Sequence, residues 1–118
     1  MTDVKPAVAA LLADIADVEL SFPECAQELP RITISETGNV SSVMLSGADR
    51  YSIITLQIDI FARTAENCSE LAGQVSAVLA ERGLKRSFSQ LLTDERYPRF
   101  CMRYRFGIDE LTWRTVSL

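Results

Sequence analysis

An α+β domain is the fold class this sequence predicts, and three stretches predict it. Residues 51–62 and 100–106 alternate apolar and polar side chains with the period of two of a pleated strand. Residues 68–79 instead repeat apolar side chains at the i, i+3, i+4, i+7 spacing of a helix face. Strands punctuated by helices predict an antiparallel or mixed sheet of about four to five strands, with two helices packed on one face.

The first helix is expected over 6–19. Pro6 suits a first helical turn, and Val8, Leu11, Leu12 and Ile15 share a stripe that Asp14 and Asp17 avoid. Residues 20–30 read as irregular, with Pro23 and Pro30 as breakers and Leu29 held extended by the proline after it. RITIS, 31–35, alternates Ile32 and Ile34 against Arg31, Thr33 and Ser35, a short half-buried strand. Residues 36–50 hold the turn formers Gly38, Asn39, Gly47 and Asp49. They read as a hairpin or long loop with a small apolar tip at Val43, Met44 and Leu45, or as an arm that packs on a neighbour.

In the main strand Ile54, Leu56, Ile58 and Ile60 point one way, and Thr55, Gln57 and Asp59 the other. Thr64 suits an N-cap, and Glu66 places an acid in the first turn, where the helix dipole favours it. Cys68, Leu71, Ala72, Val75, Val78 and Leu79 make the apolar face, and Gly83 stops the helix. A short strand follows within 84–92, with Leu84, Arg86, Phe88 and Gln90 on one side, then a turn at TDERYP. Phe100, Met102, Tyr104 and Phe106 alternate with Cys101, Arg103 and Arg105 until Gly107 ends the strand; 111–118 reads as a last strand anchored by Trp113. The predicted core joins Ile58, Ile60, Leu71, Val75, Leu79, Met102 and Tyr104.

The 118 residues fit one domain, 1–118, able to bury a core without staples. Hydrophobic residues at 47% and charged residues at 24% exclude a disordered chain. No apolar run approaches the ~18 residues of a membrane span. Asp14 and Asp17 interrupt the apolar N-terminal segment, so no signal peptide is expected and the compartment reads as cytosolic. Cys25, Cys68 and Cys101 are widely spaced, and there is no C-x-x-C pair and no histidine. These counts argue against a disulfide framework and a zinc site.

Chemistry-bearing patterns are scarce. Neither a phosphate-binding glycine loop nor a G-x-S-x-G elbow is present, and without histidine the commonest general base is missing. The acid pairs Asp94-Glu95 and Asp109-Glu110 fall in predicted turns, with no apolar surround to perturb them. Asp59 reads as a cross-strand partner for Arg103 or Arg105. Cys101 beside Arg103 is a weak nucleophile candidate, because no base is in sight to activate it. The outward face of the 100–106 strand offers arginines and no aromatic platform, which disfavours sequence-tolerant binding of single strands. No catalytic residue, cofactor or metal is expected.

Charge is unevenly spread. Residues 1–81 carry four basic and twelve acidic side chains, a net of −8; residues 82–118 carry eight and four, a net of +4. Chance, a basic surface for nucleic acid, and complementary faces for self-assembly all produce such a split.

Three stretches, "FPECAQELPRITISETGN", "YSIITLQIDIFARTAENCSELAGQVSAVLAERGLKRSF" and "YPRFCMRYRFG", together resemble the tail-terminator (tail-completion, head–tail joining) proteins of long-tailed phages and prophages. The resemblance spans about residues 22–107 and rests on the order of elements, not on a catalytic signature. It implies an α+β subunit that forms a ring, commonly a hexamer, capping the tail tube and meeting the head connector; a monomer in solution is compatible with a ring that closes only on a tube end. Implied partners are further copies of the chain, the tube protein and the connector or neck protein. No cofactor, catalytic residue, membrane or specific nucleic acid comes with it. Assembly would take place in the cytoplasm of the bacterial host and end in the virion tail. A ring of identical subunits needs one face of each to complement a different face of the next. The candidate contact residues are therefore Val43, Met44 and Leu45 at the apolar tip, and the charged Asp59, Arg103 and Arg105. Another neck or minor tail protein on a related fold, and a small nucleic-acid-binding or regulatory protein, are the alternative readings.

Overall fold

The computed structural model describes residues 5–20, 29–43, 50–93, 97–109 and 115–116. Its elements are α1 (Lys5–Leu12), β1 (Asp17–Glu19), β2 (Arg31–Val43), β3 (Arg50–Phe61), α2 (Ala65–Glu81), β4 (Arg86–Leu92), β5 (Arg99–Asp109) and β6 (Thr115–Val116). The fold is α+β. The sheet is mixed, in the order β1-β2-β3-β5-β4, with the two-residue β6 pairing the far end of β5. Only β1 against β2 is parallel; the other pairs are antiparallel.

One face of the sheet carries the core. Ile32 and Ile34 of β2, Ile54, Leu56, Ile58 and Ile60 of β3, and Met102, Tyr104 and Phe106 of β5 pack with Val8 and Leu12 of α1 and with Cys68, Leu71, Ala72, Val75 and Leu79 of α2. All seven predicted core residues are buried in this cluster. α2 begins as its sequence dictates: Thr64 Oγ1 accepts a hydrogen bond from the Asn67 amide at 3.1 Å. It ends at Gly83, whose φ of 79° lies in the left-handed region that glycine reaches without a Cβ clash. The Cys68 thiol donates to the Ile60 carbonyl at 3.0 Å, tying the helix to the end of β3.

The ends of three elements, and the alternation of a fourth, differ from the sequence expectation. The first helix stops at Leu12, and 17–19 form β1 instead. Eight residues make too short a helix to persist without packing, and Val18 finds cover in the sheet, against the core beside Ile32. β2 does not stop at Ser35 but runs to Val43, paired with β3 as a long hairpin and shifted in register between Glu36 and Gly38. That irregularity takes up the turn-forming residues inside a strand. β5 runs past Gly107 to Asp109. β4 is kinked between Arg86 and Phe88, so Arg86 lies opposite Tyr104 and Phe88 opposite Arg103. The two therefore lie on opposite faces, not on the shared side that simple alternation predicts. The predicted turn acids Asp94 and Glu95, Glu110 and the anchor Trp113 lie outside the described residues.

Candidate functional site: the sheet face away from the helices

Strand register arranges the second face in rows. Arg31, Phe61 and Arg99 form one row across β2, β3 and β5; Thr33, Asp59 and Cys101 the next; Ser35, Gln57 and Arg103 the third. On β4, Leu92, Gln90 and Phe88 continue these rows in the same order, and on β1 Asp17 and Glu19 continue the first two. This face is therefore mainly polar where the other is apolar, with Phe61, Cys101, Leu92 and Phe88 as its apolar members.

Polar does not mean wet. Asp59 is fully buried, as are Thr33 and, within a few per cent, Ser35 and Cys101. A buried carboxylate is tolerated when its oxygens are engaged. Gln57 Nε2 donates to Asp59 Oδ2 at 2.9 Å, and Arg99 Nε stands 3.7 Å from Oδ1 as an ion pair longer than a hydrogen bond. Cys101 stands directly opposite Asp59 in the same row. Arg103 Nε donates to Gln57 Oε1 at 3.2 Å and sets its guanidinium 5.1 Å from the centre of the Phe88 ring. A continuous line of contacts thus runs Phe88–Arg103–Gln57–Asp59–Arg99 across three strands.

The predicted pairing of Asp59 with Arg103 or Arg105 is corrected by this geometry. Register puts Arg103 opposite Gln57, so it reaches Asp59 through the amide, and the ion pair falls to Arg99. Arg105 lies two rows away, opposite Thr55, and is exposed. Arg99 does not stand out in sequence because it directly follows the breaker Pro98, and the alternation is plain only from Phe100; β5 begins at Arg99 itself. Its alternation with Cys101 and Arg103 was the available signal. The face also carries an aromatic that the reading of β5 alone missed: Phe88, on the neighbouring strand, is 40% exposed.

Cys101 is no activated nucleophile. Burial, then the Asp59 carboxylate as charge and as hydrogen-bond acceptor, push its thiol up to about 11, against the opposing pull of Arg103 and Arg99. Burial likewise raises the Cys68 thiol. Both are free thiols. Among the described residues no three His, Cys, Asp or Glu side chains converge as metal ligands, and no helix is long and apolar enough to cross a membrane. Val43 ends β2 opposite Arg50, while Met44 and Leu45 lie outside the described residues.

No protein-family model matches the chain, and no curated protein matches it.

Proposed function

We propose that this chain is a non-enzymatic structural subunit of a phage or prophage tail, forming a ring that caps the tail tube and joins it to the head connector. The observation that carries the reading is the ordered set of stretches resembling tail terminators, from the proline-led β2 through the β3–α2 unit to the R-Y-R-F strand β5. The framework supports it. Thr64 caps α2, the helix buries Cys68, Leu71, Ala72, Val75 and Leu79 in the core it shares with β3 and β5, and Gln57 ties Arg103 to Asp59 on the second face. Such a unit presents fixed edges to neighbours. Val43, Met44 and Leu45 remain the proposed arm, and Arg103 and Arg105 proposed contacts; fully buried Asp59 serves as the internal tie that holds its strand neighbours.

The test adds purified protein to polymerising tube protein of the same phage or prophage. Tube growth should stop at substoichiometric amounts, because a cap acts only at ends. Unaltered growth at equimolar protein would remove the assignment.

A second reading, binding of single-stranded nucleic acid, is favoured by one observation. Phe88 stands exposed beside Arg103 on the open face, an aromatic next to a cation. Retention on single-stranded DNA that falls steeply with salt and is lost in Phe88→Ala would select this reading over the first.

A further inference from the structure

β1 and β4 terminate the strand order, one at each edge of the sheet. The large apolar side chains exposed among the described residues sit at these edges: Leu20, immediately after β1, at 46%, and Phe88 and Leu91 on β4, at 40% and 36%. On β4 every residue from 86 to 91 is exposed. An edge strand offers unpaired amides and carbonyls as a template, and natural edges are guarded by charge, proline or bulges. The irregularity in β4 falls near its start; Phe88, Ser89, Gln90, Leu91 and Leu92 follow it with no charge and no proline.

The two edges differ in sign on the same face. On the face away from the helices Asp17 and Glu19 mark the β1 edge, where Glu19 is paired at 2.9 Å with Arg31 of β2 and Asp17 is left exposed as the acid unmatched among the described residues, and Arg103 and Arg105 flank the β4 edge. Arg86 adds a cation on β4 itself, on the other face, opposite Tyr104. Strand direction agrees. β1 runs with β2, β2 and β5 both run against β3, and β4 runs against β5, so β1 and β4 are opposed. A second copy laid beside the first in the same orientation therefore offers its β1 antiparallel to β4.

We propose that β4 of one copy pairs with β1 of the next, so that the sheet continues from subunit to subunit in a head-to-tail contact. The occupant is a second copy in this orientation because it brings acid to base. A two-fold β4–β4 seam would instead gather Arg86, Arg103 and Arg105 of both copies. Backbone pairing supplies the ladder, and Leu20, Phe88 and Leu91 are positioned to lose water at the seam. Three residues of β1 give a short ladder, so each contact is weak and gains from closing a ring. The inference rests on the sheet edges alone and stands or falls apart from the tail reading: association without tube capping retires only the tail reading, and capping without association through these edges retires only this one.

The experiment is a charge swap read by sedimentation over a concentration series up to the millimolar range, at low and high salt. One variant carries Asp17→Lys with Glu19→Lys; the other carries Arg86→Glu with Arg105→Glu. Wild type should self-associate at low salt. Each variant alone should associate about tenfold more weakly, as expected when surface charge pairs turn repulsive. An equimolar mixture should regain association, because each altered edge then meets an altered partner. Circular dichroism checks folding. Phe88→Ser with Leu91→Ser, at two exposed positions, provides a second test should a charge variant misfold, and should also weaken association. Wild type monomeric throughout, loss in the arginine variant alone, a folded mixture that fails to recover, or an unaffected serine variant would each overturn the proposal.

Discussion

At Asp59 two large terms oppose each other: desolvation of a carboxylate and its engagement by Gln57 and Arg99. Removing the acid takes the Asp59 carboxylate away from Arg99, whose side chain is mostly buried, and from the Gln57 amide. Asp59→Ala should therefore cost about 3–5 kcal/mol of unfolding free energy, the range for breaking a buried pair; chemical denaturation reads it. Tyr104 presents the opposite case. Its ring is core, but its hydroxyl is buried with no hydrogen-bond partner among the described residues. Tyr104→Phe should be neutral or stabilising by about 1 kcal/mol, since the desolvated hydroxyl returns nothing. A loss of more than about 2 kcal/mol would mean the hydroxyl is bonded after all.

The Cys101 thiol makes a pH prediction. Its pKa is raised from 9.0 to about 11, so the folded state holds this proton more tightly than the unfolded state. The stability it lends is complete below pH 9 and drains away as pH rises towards 11. In peptide mapping after iodoacetamide treatment, Cys101 should stay unlabelled in the folded protein at neutral pH and react quickly once the chain is denatured. Rapid labelling of native protein at neutral pH would contradict a buried thiol opposite the Asp59 carboxylate.

Among the elements, α2 was the most legible. Its cap, stripe and stop are each local, so Thr64, the 68–79 spacing and Gly83 specify it before any tertiary contact. Leu79 is fully buried at its C-terminal end, and Leu79→Ala should cost about 2–5 kcal/mol in thermal or denaturant unfolding. A change below about 0.5 kcal/mol would put the helix face elsewhere. β3 and β5 were equally plain, because alternation survives along almost their whole length. What the sequence concealed was non-local. The parallel partner of β1 is supplied by β2, so Val18 follows no helical stripe and forms no long alternating run. Gly38 and Asn39 look like a turn, yet pairing with Thr55 and Ile54 carries them along the hairpin. The contact line through Asp59 depended on register, which decides whether an arginine stands opposite the acid or one row off. Four of its five members, Phe88, Arg103, Gln57 and Asp59, are named in sequence as strand residues or partners. Arg99, and the bridging role of Gln57, become visible only when the strands lie side by side.

For the whole molecule, the account joins a rigid strand–helix frame to two edges of unlike chemistry and an overall division of charge. Residues 1–81 are net −8 and residues 82–118 net +4, and β1 belongs to the first part while β4 and β5 belong to the second. Contacts between such parts of neighbouring copies should weaken with salt, because exposed charges are screened over about 8–10 Å at physiological ionic strength. Apolar burial at the edges should persist. The central claim, a subunit that closes the end of a tail tube, is tested most directly by electron micrographs of preformed tubes incubated with the purified protein. The account predicts added density at one end of each tube and none along its length. Bare ends, or decoration along the whole tube, would contradict it.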